Sequence, residues 1–267
     1  MGFLTRFRRR KLRGRDLPSE YLAVLGEIPV YRRLPPADRD ELRRHMVVFL
    51  DEKRFEGCGG LDVTDVMRVT VAANACLLLL HRENDYFPRL SSIVMYPRSY
   101  LGRRSDLDDA GVVHDEIEER LGESWALGTV VLSWKDILED SRCCDDMNVI
   151  LHEFTHQLDA ENGADDGMPL ISSRSLRKEW ESVFTAAFER LRQEDDAGME
   201  TFLDPYGAES PAEFFAVVTE CFFQLPRELR REHPDIYAVL SRYFNQDPSS
   251  WEPEGCLSPP ERATVSV

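Results

Sequence analysis

The sequence of 267 residues lacks several features that would assign it to a common protein class. Its six cysteines include no Cys-x-x-Cys pair, so neither a cysteine-based zinc ribbon nor a redox site is indicated. Ordinary reduced thiols are typical of the cytoplasm, which we therefore predict as the location. The net charge of −16 argues against nucleic acid as the main partner. The longest apolar stretch, 69–80, is too short to span a bilayer about 30 Å thick.

Basic residues are concentrated at the N-terminus. Residues 1–15 contain seven Arg or Lys residues and no acidic residue, whereas the remainder carries 26 basic and 49 acidic residues, a net charge of −23. Such a head could contact an acidic surface, a membrane or the acidic body of its own chain, but we expect residues 1–16 to be disordered. No signal peptide is indicated, because the apolar run that follows is too short. The acidic, Pro-rich tail 247–267 is expected to be loosely ordered.

Helical patterns dominate residues 17–246, which we interpret as one mostly helical α+β domain with a small β-sheet. Strands are predicted at 92–96 and 127–134. An apolar helix that starts at Thr64 or Asp65 and runs to about residue 80 is expected to be central to the core. Further helices are predicted at 17–25, 38–51, 175–193 and 210–223, followed by two short ones. The sequence shows no internal repeat and no linker.

A His-Glu-x-x-His motif at residues 152–156 indicates the chemistry of the chain. On a helix, His152 and His156 share one face and can direct ring nitrogens to one zinc ion. Glu153 then lies beside the metal, where a carboxylate can take a proton from the attacking water. The flanking residues Val149, Ile150, Leu151, Phe154 and Leu158 are apolar, so the helix should be buried and its polar groups should have partners. A surface helix with two solvated histidines is the competing interpretation.

The bounds of the motif helix are also indicated by the sequence. Asp145 or Asp146 is expected to cap it, and Asn162-Gly163 to stop it.

A catalytic zinc ion needs a third protein ligand, and the residues alone leave its identity open. Asp159 lies too close to the motif histidines on the same helix, so we expect it to orient a ligand or the next loop. Glu213 and Glu220 are seven residues apart on an apolar helix and are the better candidates. However, Glu213 could simply close a capping box with Ser210, and Glu220 could hold a histidine ring from behind.

The motif resembles that of the Mlc titration factor A family of bacterial zinc peptidases. The resemblance rests on His-Glu-Phe-Thr-His-Gln-Leu-Asp at 152–159, Asp-Pro-Tyr at 204–206 and Ser-Pro-Ala-Glu-Phe-Phe-Ala at 210–216, with support from 128–134. It covers roughly residues 17–246. The spacing of seven residues between Tyr206 and Glu213 is also similar to that in the catalytic domain of anthrax lethal factor.

The resemblance implies a gluzincin-like zincin with one Zn²⁺ ion per chain. By the same resemblance, His152, His156 and Glu213 are the metal ligands, Glu153 is the general base, and Tyr206 faces the zinc-bound oxygen. The family is described as cytoplasmic, with aminopeptidase-like activity on small substrates and with binding to a glucose-responsive transcription repressor.

The resemblance selects Glu213 over Glu220 as the third ligand. Glu220 is then predicted to hold a histidine ring nitrogen from outside the ligand set, and Asp159 to orient a ligand or the next loop. The predicted function is therefore zinc-dependent hydrolysis of peptide bonds, with a peptide as substrate. The alternative is a regulatory protein that sequesters a partner and whose zinc is structural. Glu153 and Tyr206 favour the enzyme, because a general base and an oxyanion donor are useful only to an enzyme, whereas a structural site would prefer four protein ligands.

Overall fold

The computed structural model describes residues 3–82, 85–98, 100–107, 113–120, 122–125, 128–140 and 147–251. Helices are formed by α1 Phe3–Leu12, α2 Ser19–Glu27, α3 Pro29–Arg33, α4 Pro36–Glu52, α5 Asp65–Leu77, α6 Trp134–Asp140, α7 Val149–Asp159, α8 Arg174–Asp196, α9 Pro211–Gln224, α10 Pro226–Glu232 and α11 Pro234–Phe244. Strands are formed by β1 Arg54–Gly57, β2 Ser92–Tyr96, β3 Tyr100–Leu107, β4 Val113–Arg120, β5 Gly122–Trp125 and β6 Thr129–Ser133. The expected α+β class, with many helices and a small sheet, is confirmed.

One sheet has the strand order β1-β2-β6-β5. The first three strands are parallel, with Phe55 beside Ile93 and Ile93 beside Val130, and these three side chains are buried. Strand β5 adds to the edge of the sheet in the antiparallel direction, and β3 and β4 form a separate antiparallel ribbon. The strand predicted at 92–96 is β2, and the one at 127–134 is β6. The other four strands were not predicted; β1, for example, is only four residues long and contains two charged residues.

Helix α5 lies in the core, as its all-round apolarity predicts. Its residues from Val71 to Leu77 are all buried. The hydroxyl of Thr64 accepts a hydrogen bond from the Met67 N–H at 3.3 Å, which confirms Thr64 as the N-cap. No described helix has the length and apolarity that crossing a bilayer would require.

Aromatic side chains pack behind the motif helix α7. The ring of Phe154 lies 4.9 Å from that of Phe87 and 5.7 Å from that of Phe49, measured between centroids. Helix α9 packs on another side of α7, and its Phe215 lies edge-on to Trp180 of α8, with centroids 5.0 Å apart. Both helices that carry candidate ligands are therefore fixed by a buried aromatic core.

The basic head is helical rather than disordered over residues 3–12. Arg9 donates to both carboxylate oxygens of Glu52 at 2.7 Å, and Leu12 is buried. The expectation of disorder is wrong for these residues, because acidic side chains on the body of the chain, such as Glu52, pair with the basic head and hold it in place. In the tail, residues 248–250 form a 3-10 turn and Trp251 is buried; residues 252–267 lie outside the described part.

Candidate metal centre

The motif helix α7 begins at Val149 and is capped by Asn148, whose side-chain oxygen accepts a hydrogen bond from the Leu151 N–H at 3.1 Å. The expected cap, Asp145 or Asp146, is wrong, and both residues lie outside the described part. The C-terminal end follows the prediction more closely. Helix α7 passes into a 3-10 turn over 160–162, which Gly163 ends with a left-handed backbone (φ +93°).

Three candidate ligands converge on one point. His152 Nε2 lies 2.9 Å from Glu213 Oε2, and His156 Nε2 lies 3.3 Å from the same oxygen. The two Nε2 atoms are 3.2 Å apart. The side chains are 14% (His152), 12% (His156) and 20% (Glu213) exposed, so each is largely shielded but reachable from one side. These three side chains form a group that can hold a metal ion.

The donor set and its spacing fit zinc. Two imidazole nitrogens and one carboxylate oxygen are the donors of a common catalytic zinc site, which keeps a fourth position for water or substrate. Tetrahedral ligands with bonds of roughly 2.0–2.2 Å lie roughly 3.3–3.6 Å from one another. The observed separations of 2.9–3.3 Å therefore need to expand by only a few tenths of an ångström.

Glu213 lies in the first turn of helix α9, which places it next to the two histidines. Ser210 caps this helix, because its hydroxyl accepts a hydrogen bond from the Glu213 N–H at 3.2 Å. The carboxylate of Glu213, however, points to the two histidines and not back to Ser210. One half of the anticipated capping box is present, and the capping interpretation is wrong for the carboxylate.

Glu220 lies on the opposite edge of the His152 ring. Its Oε1 accepts a hydrogen bond from His152 Nδ1 at 2.7 Å, and its Oε2 accepts one from the Asn148 N–H at 2.5 Å. An ionised carboxylate can only accept a hydrogen bond, so Nδ1 of His152 carries a proton. The other ring nitrogen, Nε2, faces Glu213. Residue spacing alone leaves Glu220 either as the third ligand or as a residue that holds a histidine ring. In the structure it contacts the His152 ring and lies outside the group of three converging side chains.

The electrostatics of the group favour positive charge between the carboxylates. Burial alone would lower the pKa of His152, but Glu220 and Glu213 raise it well above its ordinary value. Burial would likewise raise the pKa of Glu213, but hydrogen bonds from His152 and His156 hold it well below its usual range. A cation is therefore stabilised where the three side chains meet.

Asp159 holds the loop that follows α7. Its Oδ2 accepts a hydrogen bond from the Gly167 N–H at 2.8 Å, and the Gly167 carbonyl accepts one from Trp180 Nε1 at 2.9 Å. Burial raises the pKa of Asp159 to about 7. Gly167 has φ +73°, and a Cβ there would lie 2.3 Å from the carbonyl oxygen of Pro211, the first residue of α9. Of the two expected roles of Asp159, the structure shows the loop contact.

Glu153 and Tyr206 flank the group. Glu153 is only 5% exposed and lies beside His152 in α7. Tyr206 stands in the 3-10 turn over 205–208, where its N–H donates to Asp204 Oδ1 at 2.8 Å. Its ring centroid is 5.9 Å from that of His152, and the residue is 47% exposed. Tyr206 also lines an open depression of about 480 Å³, with Arg192 and Glu209 among the other lining residues.

Two asparagines of the site were not predicted. Besides capping α7, Asn148 donates through its side-chain nitrogen to the Asn74 side-chain oxygen at 3.1 Å. Asn74 is buried in α5 and so joins the central helix to the motif helix. Both carried a signal: Asn148 directly precedes the apolar run of the motif, where N-caps occur, and Asn74 is a polar residue in an apolar helix.

The fold and this centre together are metallopeptidase-like: a helical α+β domain in which one helix carries two motif histidines and a neighbouring helix carries a glutamate, so placed that they can hold a metal ion. The sequence model of the glucose-regulated metallo-peptidase family M90 matches residues 4–245, and the chain belongs to this family. A member of a metallopeptidase family is expected to bind a metal ion, which agrees with the convergent group.

Individual relatives agree with this assignment. The chain is 39% identical to an uncharacterized protein of Synechocystis sp. over 245 residues, which cover 91% of this chain and 89% of that protein. It is 33% identical to Mlc titration factor A of Klebsiella pneumoniae over 224 residues, 83% of this chain and 84% of the relative. With Mlc titration factor A of Yersinia pestis the identity is 32% over 258 residues, 93% and 95% of the two chains. The family resemblance inferred from the motifs is thereby confirmed.

Proposed function

We propose that this protein is a zinc-dependent peptidase in which His152, His156 and Glu213 hold one Zn²⁺ ion and Glu153 is the general base. The observation that supports this most strongly is the convergence of the three donor atoms within 3.3 Å of one another. Glu153 belongs to the same helix, so one rigid element carries two ligands and the base.

The side chains then divide the work of peptide hydrolysis. A zinc ion held by His152, His156 and Glu213 would polarise the scissile carbonyl and would lower the pKa of the attacking water to about 7. Glu153 takes a proton from the attacking water and returns it to the leaving amine. Tyr206, whose ring centroid lies 5.9 Å from that of His152, donates a hydrogen bond to the oxyanion that develops on the substrate. Glu220 keeps the proton on Nδ1 of His152 and so leaves Nε2 for the metal.

Aminopeptidase-like action on small peptides in the cytoplasm is the specific form that we propose. The family resemblance is the basis for this choice. The burial of the site is compatible with it, because the side chains of His152 and Glu213 are largely shielded but still partly exposed.

Substitution of the base tests the proposal. In Glu153→Gln the ligands are kept and the base is lost, so hydrolysis of aminoacyl p-nitroanilides and short peptides should be abolished. Zinc content and melting temperature should stay near those of the parent, because glutamine has the same shape. Undiminished turnover in the variant would show that another residue is the base or that the activity is a contaminant.

A second candidate function is the sequestration of a transcription repressor, with zinc in a structural role. It is favoured by the names of the relatives, which are called Mlc titration factor A. Binding of purified Mlc repressor, measured by calorimetry with the parent and with Glu153→Gln, separates the two functions. Tight binding by both proteins, with no peptide hydrolysis by the parent, would select the binding function.

A further inference from the structure

Helix α1 is attached to the body of the protein by one face. On this face Arg9, whose side chain is 12% exposed, pairs with Glu52 at 2.7 Å and with Asp85 at 2.5 Å. Leu12, three residues further along the helix, is buried. The helix is thus held in a fixed orientation, and its opposite face is directed away from the body.

The outer face of α1 combines apolar and basic side chains. Leu4 is 81% exposed and Phe7 is 65% exposed, and their spacing of three residues places them on the same side of the helix. Arg6, Arg10 and Lys11 flank them and are exposed. Among the described residues, none of these three basic side chains has an acidic partner, whereas Arg9 on the inner face has two.

We propose that this outer face binds the surface of a membrane that contains anionic lipids. Leu4 and Phe7 enter the boundary between headgroups and acyl chains, and Arg6, Arg10 and Lys11 pair with lipid phosphates. An interfacial helix has this composition: apolar residues on the contact face and basic residues beside them.

Charge selects the lipid surface as the occupant. Residues 1–15 carry seven basic residues, and the rest of the chain carries a net charge of −23. An anionic membrane repels the body and attracts only the head, so the protein attaches through α1 in one orientation. A symmetric dimer that packed α1 against α1 would instead bring the basic side chains of two copies together.

Vesicle flotation with the full-length protein tests this proposal. The protein should float with phosphatidylglycerol vesicles, remain behind with phosphatidylcholine vesicles, and be released by added salt. The double variant Leu4→Ser, Phe7→Ser should lose most of this binding. The double variant Arg6→Gln, Arg10→Gln should bind roughly 25-fold more weakly, since each basic residue near an anionic surface contributes about fivefold.

The control pair Arg54→Gln, Lys135→Gln changes the net charge equally, at exposed side chains far from α1 in sequence. It should bind vesicles like the parent within about twofold. All of these side chains are largely exposed, so the melting temperature should not change. The proposal is overturned by equal affinity for both kinds of vesicle, by no binding to either, or by full binding of the Leu4, Phe7 variant. A dimer without lipid, seen by light scattering and lost in that variant, would assign the face to a second copy of the chain instead.

Discussion

Replacement of Glu220 by glutamine tests how the metal centre is supported, and it leaves all three proposed ligands in place. Glu220 accepts two hydrogen bonds, from His152 Nδ1 at 2.7 Å and from the Asn148 N–H at 2.5 Å. Glutamine has a single acceptor oxygen and can satisfy only one of these donors, while its NH₂ group faces the other. The charge that favours a protonated Nδ1 is also removed. Since the carboxylate is 10% exposed, water cannot easily replace it.

The expected cost follows from these contacts. Loss of a charge-assisted hydrogen bond and one unsatisfied buried donor together amount to about 2–4 kcal/mol. Part of this appears as lower stability, and the rest as a roughly 10- to 100-fold loss of zinc affinity. Competition with a chelator of known affinity measures the second effect. Glu179→Gln is the matched control: its exposed ion pair with Arg242 should contribute less than about 1 kcal/mol and leave zinc affinity unchanged. Glu220→Gln protein with the zinc affinity of the parent would refute the assigned role of Glu220.

Two further substitutions test neighbouring parts of the site. Tyr206→Phe removes only the hydroxyl, so the turnover rate should fall by roughly ten- to a thousand-fold with zinc content unchanged; a rate within about twofold of the parent would rule out the oxyanion role. Gly167→Ala places a Cβ 2.3 Å from the Pro211 carbonyl oxygen, whereas Gly198→Ala, also at positive φ (+63°), meets nothing within 4 Å. Urea denaturation should show a loss of about 1–2 kcal/mol for Gly198→Ala and about 1–3 kcal/mol more for Gly167→Ala. Equal losses would show that the close approach of this loop to α9 is unimportant.

The parts of the molecule that were predictable are those with a long periodic pattern or a fixed local spacing. The helical spacing of His152 and His156 determines that they share a face, and the apolar residues around them determine that the helix packs into the core. The choice between Glu213 and Glu220 depends on how α9 packs on α7, which no local pattern contains. Residue spacing therefore left the two carboxylates open. The family resemblance selected Glu213, and the contacts of the two carboxylates with opposite edges of His152 agree with that choice.

Short strands and the head were beyond sequence reasoning for a related reason. Strand β1 exists because it pairs with β2, a contact between residues nearly forty positions apart. Helix α1 has no internal pattern that predicts burial. Ion pairs with the body of the protein hold it in place, those of Arg9 with Glu52 and Asp85 and that of Arg8 with Asp51. Both elements are stabilised by tertiary partners, and their own sequences give little indication of them.

The central claim is that His152, His156 and Glu213 hold one zinc ion, and elemental analysis of the purified protein tests it most directly. We expect close to one zinc per chain in the parent and a large loss of zinc in His152→Ala, His156→Ala and Glu213→Ala. Glu179→Ala, which truncates an exposed carboxylate, should retain the zinc content of the parent. Metal-replete parent protein without zinc, or His152→Ala protein that keeps its full zinc content, would contradict the claim.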